Sequence, residues 1–206
     1  MIQDKAKGYQ KIMEAAMDCV VTLGPEKTTL RAIAKKAGIS VGLVHYHVPK
    51  KKDLFYLVLK YFLEETQLSI AKPDLSLRGI DLFLERIRYN FEIFHPSNAK
   101  YYQCFLLGYY YATFRREFHK LMLKHRILVM EKDEQNIKDI LQEFKIYRTP
   151  EEIRRFIESS TQFLAGAMLL GMSVYSKAEY ERIVEHQTEL QRLRLLAFLG
   201  QEPRVV

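Results

Sequence analysis

The stretch from Thr28 to Val48, TTLRAIAKKAGISVGLVHYHV, leaves this chain the fewest choices. Leu30, Ile33, Ala34 and Ala37 recur at i, i+3, i+4 and i+7, so a helix here has one apolar stripe. Gly38 follows at once, where glycine's tolerance of a left-handed backbone ends a helix at least cost. Ile39 then drops toward the core beneath the turn. Ser40 is placed to cap a second helix by accepting from its first free amides. In that helix Val44 and Val48 point inward, while Gly42, His45 and Tyr46 share the opposite face. Two short helices across a tight turn are the outline of a helix-turn-helix, whose second helix enters the major groove of DNA.

That outline assigns duties to side chains. Thr28 and Thr29 stand at the start of the first helix of the motif, where free amides also make an anion site, so each is read as cap and phosphate contact. Gly42 lets the backbone approach the groove. Val41 and Leu43 reach thymine methyl groups, and His45 and Tyr46 reach base edges or phosphates. Arg31 and Lys51 are the cationic phosphate anchors, with Ser40 between them. His45 and His47 do not form a metal site, because residues two apart on a helix face away from each other.

Charge supports the same reading. The net charge is +7, and residues 1–60 hold 11 Lys/Arg against 5 Asp/Glu, which leaves the other 146 residues almost neutral. A basic surface can serve solubility alone; one that coincides with a helix-turn-helix favours nucleic acid. Only nine Gly and six Pro interrupt the 206 residues, which points to an all-α chain. The start, MIQDKAKGYQ, lacks the apolar core of a signal peptide, and the most apolar run, Phe163 to Met172, is too short to span a bilayer. Cys19 and Cys104 lie far apart without metal-type spacing and read as buried free thiols in a cytoplasmic protein.

Thr28-Thr29, Ile33-Ala34, Ala37-Gly38-Ile39-Ser40, Gly42 and Lys51-Lys52-Asp53-Leu54 together resemble the N-terminal domain of the tetracycline-repressor (TetR) family. Ile12-Met13-Glu14-Ala15-Ala16 is similar to that family's first helix, so the resemblance covers Gln10 to Phe55. The chain departs from the family pattern at His45, where Tyr is usual, at His47, where another aromatic is usual, and at Val48 in place of Phe. The resemblance implies an all-α protein with a three-helix helix-turn-helix DNA-binding domain, residues 1–50. A long fourth helix would join it to a helical effector-binding and dimerisation domain, residues 51–206.

Periodicity supplies the remaining elements. Asp4 to Leu23 reads as the first helix, and Lys51 to about Ala71 as the fourth, stopped by Lys72-Pro73-Asp74. Five more follow: Leu77–Phe94 with Ser76 as cap, Asn98–Thr113, Arg115–Glu143, a helix opened by Thr149-Pro150-Glu151 and running to Tyr175, and Lys177–Leu199. The aromatic run between Tyr101 and Phe114 covers more than one helix face. It either packs or lines a partly apolar cavity. Candidate ligand-binding residues are Phe91, Tyr102, Phe105, Tyr109, His119, Met122, Arg126 and Phe163. On the last two helices Ser160, Leu164, Ala167, Gly171 and Tyr175 face Ile183, Leu190, Leu193 and Ala197 as stripes. They pack within the chain or, as the resemblance implies, form a four-helix interface between two copies.

The expected protein is therefore a cytoplasmic, homodimeric, ligand-responsive transcriptional regulator, a repressor released from a palindromic operator in double-stranded DNA by a small, partly apolar effector. The alternative is an architectural, nucleoid-associated DNA-binding protein without an effector. A helical enzyme is the least supported class, because the sequence has no GxSxG, HExxH or phosphate-binding glycine loop. No cofactor and no metal are expected.

Overall fold

The computed structural model describes residues 2–66, 76–93, 95, 99–171 and 176–201. Among them are nine α-helices: α1 (Ile2–Leu23), α2 (Leu30–Ala37), α3 (Val41–His47), α4 (Leu54–Thr66), α5 (Gly79–Ile93), α6 (Ala99–Ala112), α7 (Arg116–Glu143), α8 (Pro150–Gly171) and α9 (Lys177–Phe198). A single 3-10 turn, Lys51–Asp53, precedes α4, so the helix expected from Lys51 begins with a tighter first turn. Its expected end at Lys72-Pro73-Asp74 and Ala71 lies outside the described residues. The helix expected from Leu77 begins at Gly79 instead, and Ser76 sits in a turn rather than capping it.

Two compact units divide the chain. The first comprises Met1–Ile70 and Ala99–Leu123, and the second Ala71–Asn98 and Lys124–Val206. The first unit extends beyond residue 50 because α4 and α6 share its core. Ile12, Met13, Ala16, Val20, Ile33, Val44, Val48, Val58, Leu59 and Cys104 are buried there together. Fully burying a side chain of the size of Ile33 or Val44 contributes about 1.5–3 kcal/mol, which is what a helix as short as α2 lacks on its own.

The second unit has two clusters. Ile137, Ile140, Ile153, Phe156, Ile157 and Leu195 join α7, α8 and α9. Ile87, Phe91, Ala167 and Tyr180 join α5, α8 and α9. There the buried Tyr180 hydroxyl donates to the Phe91 carbonyl oxygen at 2.6 Å. The start of α8 is a reciprocal cap. Thr149 Oγ1 accepts from the Glu152 amide at 3.2 Å, and the Glu152 carboxylate accepts from the Thr149 amide at 2.7 Å, with Pro150 as the first helical residue. Both cysteines are free and buried, and burial pushes the Cys104 thiol up to about 12, so it is unreactive at neutral pH.

Candidate nucleic-acid interface

The turn between α2 and α3 is built by the residues that its sequence advertises. Gly38 adopts φ 66° and ψ 37°, its amide donates toward Lys35 O, and the Ile39 amide donates to Ala34 O at 3.1 Å. These bonds satisfy two of the last four carbonyls of α2. Thr29 Oγ1 accepts from the Ala32 amide at 3.1 Å, and Ser40 Oγ accepts from the Leu43 amide at 3.3 Å. Both helices are therefore capped by the predicted residues. Val44 and Val48 are fully buried, which turns Gly42, Leu43, His45 and Tyr46 to solvent. Tyr46 is 65% exposed. A Cβ added at Gly42 would meet nothing nearer than Ser40 Oγ at 3.9 Å, so the backbone there faces open space. Arg31 is exposed, and Val41 is half-buried.

Thr28 is the exception among these residues. It is 0% exposed and its hydroxyl donates to Gly24 O at 2.8 Å, so it stitches the α1–α2 connection from inside and offers nothing to a phosphate. The expected contact at this helix start falls to Thr29 alone. Lys51 has a second duty besides its charge. Its Nζ donates to Glu26 O at 2.9 Å, which leaves its remaining N–H groups for a phosphate.

Two acidic residues within this basic unit have roles that the sequence does not assign. Glu26 accepts from the Tyr111 hydroxyl of α6 at 3.1 Å. Burial first, then the Glu26 hydrogen bond and charge, raise the Tyr111 pKa. Asp18 of α1 pairs with Lys36 of α2 at 3.3 Å and with Lys100 of α6 at 3.4 Å. Both ends of α6 are thus tied to the helix-turn-helix through one carboxylate each. An isolated acid in a basic segment is the only trace of this in the sequence; its partners on α6 are distant along the chain.

The pattern described as bacterial regulatory proteins of the tetR family matches residues 12–57. The chain carries that family's domain over residues 12–57. It carries that family's DNA-binding helix-turn-helix, and its class is transcriptional regulation. Solved structures share the fold over nearly the whole length. A tetR-family transcriptional regulator from Rhodococcus sp. superposes with a TM-score of 0.73 at 12% identity, covering 92% of this chain and 99% of that one. A regulator from Saccharomonospora viridis in complex with choline gives 0.68 at 14% identity over 90% and 95%. A TetR regulator from Haloarcula marismortui gives 0.64 at 18% over 89% and 96%. No curated protein sequence matches the chain.

The residues expected to bind a ligand are distributed over both units. In the first, Tyr102 and Met122 are buried and Phe105 is half-buried, edge-on to Phe62 and to Tyr109. Tyr109 is 50% exposed and His119 is exposed. In the second, Phe91 is fully buried with its ring edge-on to Tyr180, Arg126 is exposed, and Phe163 is exposed with the Arg194 guanidinium over its ring. Phe91 is thus a core residue and Phe163 a surface one. A small space of about 40 Å³ in the second unit is lined by Arg86, Asn90, Asp133 and Ser160 among others. It is water-sized, and none of the expected ligand residues lines it. Arg86 and Asp133 pair across it at 3.1 Å.

The expected interface stripe needs correction. Ser160 and Ala167 are buried inside the subunit, and Leu164 and Ile183 pack on the α5 cluster. Ala167 shares its cluster with Ile87 and Phe91 of α5 in the same chain. Leu190 and Leu193 are half-buried and Ala197 is exposed. Gly171 ends α8, and Tyr175 lies outside the described residues. The outward face of α8 carries Ser159, Phe163 and Gly166 instead. Arg194 joins it from α9, donating to Ser159 Oγ at 2.7 Å. Among the described residues no helix is long and apolar enough to cross a membrane, and no group of three His, Cys, Asp or Glu side chains could hold a metal.

Proposed function

We propose that this regulator is a homodimeric repressor of the cytoplasm that reads a palindromic operator and is released by a small, partly apolar effector. The observation that carries the reading is the exposed face of α3, with Gly42, Leu43, His45 and Tyr46 held outward by the buried Val44 and Val48 on a capped helix. Thr29, Arg31, Ser40 and Lys51 flank that face and supply phosphate contacts, and Val41, Leu43, His45 and Tyr46 read bases. In functional terms residues 1–50 bind DNA and residues 51–206 bind effector and partner copy, although α4 and α6 share a core with the first segment.

Two copies would present their α3 helices about 34–36 Å apart, one turn of DNA. The outward face of α8 and α9, with Phe163, Gly166, Arg194, Leu190, Leu193 and Ala197, is the surface we assign to the partner copy. For the effector, the candidates are the aromatic and polar side chains Tyr102, Phe105, Tyr109, His119 and Met122 on α6 and the start of α7, with Arg126 further along α7. A neighbouring fold holds choline, which supports a small organic molecule as the class. Effector and operator need oppose each other by only about 1–3 kcal/mol to change affinity severalfold or more.

The experiment is selection from random DNA duplexes with the purified protein at moderate salt. A two-fold symmetric motif is the expected outcome. Enrichment without a shared motif would instead establish the architectural DNA-binding protein.

A further inference from the structure

Three helices of the first unit begin beside one another. The Glu26 carbonyl oxygen, in the turn that leads into α2, accepts from Lys51 Nζ at 2.9 Å, and Lys51 opens the 3-10 turn before α4. The Glu26 carboxylate accepts from the Tyr111 hydroxyl at 3.1 Å. The Tyr111 carbonyl oxygen in turn accepts from the amide of Arg115, the residue before α7, at 2.8 Å. Phe118, in the first turn of α7, stacks on Phe55 in the first turn of α4 with ring centroids 5.4 Å apart. The starts of α2, α4 and α7 are thus joined by direct contacts.

Each start carries free amides and the positive end of a helix dipole, so gathering three of them is unfavourable unless negative charge meets them. The chain adds cations instead. Residues 26–29, 50–55 and 115–120 hold seven Lys/Arg against three Asp/Glu. Two of those acids are already engaged, Glu26 by Tyr111 and Glu117 by Arg115 at 2.7 Å.

The cations of α7 are placed against the interests of the helix. Arg116 is its first residue, where the dipole disfavours positive charge, and Lys120 follows at i+4, where like charges repel. A solvated face uses the same spacing to join opposite charges, as Glu134–Lys138, Glu151–Arg155 and Lys177–Glu181 do in the second unit. Among the described residues neither Arg116 nor Lys120 pairs with a carboxylate. Both are exposed, and they lie on the side of α7 opposite the buried Phe118 and Met122.

This arrangement calls for an anion, and its spread says which kind. The cations follow an exposed edge that continues from Thr29 and Lys51, with no pocket to enclose a small ion. A polyanion with regularly spaced charges matches such an edge. We propose that Arg116 and Lys120, at the α6–α7 corner, grip the DNA backbone outside the base pairs that α3 reads. The proposal rests on the DNA-binding reading of α2 and α3 and extends its surface to a helix beyond residues 1–50.

The test is fluorescence anisotropy of the full chain with a long labelled duplex, carrying the selected motif where one exists, over a range of salt. Arg116→Gln/Lys120→Gln should lower the salt slope by about 0.9 for each cation lost, close to two per chain. The charge-matched Lys145→Gln/Arg154→Gln, in the second unit, should leave the slope unchanged. The melting temperature of the first pair should equal or exceed that of the wild type, because a repulsion is removed. If that pair does not fold, Lys120→Gln alone decides, with a drop of about one. An unchanged slope, an equal drop in the charge-matched pair, or a lower melting temperature in the folded corner variant would each overturn the proposal. Lys51→Ala separates the two readings. A lower slope in Lys51→Ala but not in the corner variant sinks the corner and leaves the helix-turn-helix reading intact. Failure of the wild type to bind any duplex sinks both.

Discussion

Thr28 and Thr29 are adjacent and chemically identical, yet the fold gives them opposite work. Thr28→Val removes the buried bond to Gly24 O and should cost about 1 kcal/mol in a denaturant melt while leaving the salt dependence of DNA binding unchanged. Thr29→Ala removes an exposed cap, also worth about 1 kcal/mol, and should weaken DNA binding as well. Lys51→Ala should lower affinity for every duplex and reduce the salt slope by about one, with an added loss as the Glu26 turn loosens. Tyr46→Ala should instead change which sequences are selected. A pH effect belongs to this scale too. Burial, and then the Lys132 charge, lower the His125 pKa from 6.5 to about 4. Between those values the unfolded chain holds a proton that the folded chain does not, so stability present above pH 6.5 is lost as pH falls toward 4. The melting temperature of the wild type should drop more steeply from about pH 7 to about pH 5 than that of His125→Gln. None of these distinctions is legible at one position: the sequence shows a titratable or capping side chain, and burial decides which state it favours.

At the scale of elements, α6 is the helix to perturb. Asp18 ties it to α1 and α2 near its start, and Glu26 ties its end to the turn before α2. Each such pair is partly exposed and worth no more than about 1 kcal/mol, too little to hold the fold but enough to bias where the helix-turn-helix sits. Tyr111→Phe should therefore leave the thermal melt within a degree or two and still change operator affinity measurably; identical affinities would mean that this contact transmits nothing. Gly108 of α6 lies against Leu59 of α4. A Cβ there would lie 2.9 Å from both terminal carbons of the fully buried Leu59 and 3.2 Å from Met122 Sδ. Gly108→Ala should cost about 1–3 kcal/mol and shift α6 against α4. The elements themselves were largely legible. Helical periodicity, Gly38, Ser40 and Thr149-Pro150 predict nearly every boundary, because caps and stripes are local. The first turn of α4 and the start of α5 differ because a 3-10 turn and a left-handed glycine intervene.

For the whole molecule, the proposal of a dimer makes the outward face of α8 and α9 testable. Phe163→Glu should leave a folded monomer in sedimentation and abolish binding to a palindromic duplex while retaining weak, salt-sensitive attraction to DNA. The same helices show where inference from sequence ends. By itself the sequence determined an all-helical chain, a basic helix-turn-helix with one exposed face on α3, and the family that its N-terminal domain matches. All of these rest on spacings within a few residues and on the sum of charges. It did not determine that Ser160 and Ala167 are buried within the chain, that Thr28 turns inward, or that Asp18 and Glu26 reach α6. A stripe of small residues permits close approach by any helix, and a carboxylate accepts from any donor. Only the tertiary packing decides which partner arrives, because those partners are brought together from distant parts of the chain by burial that no local pattern records.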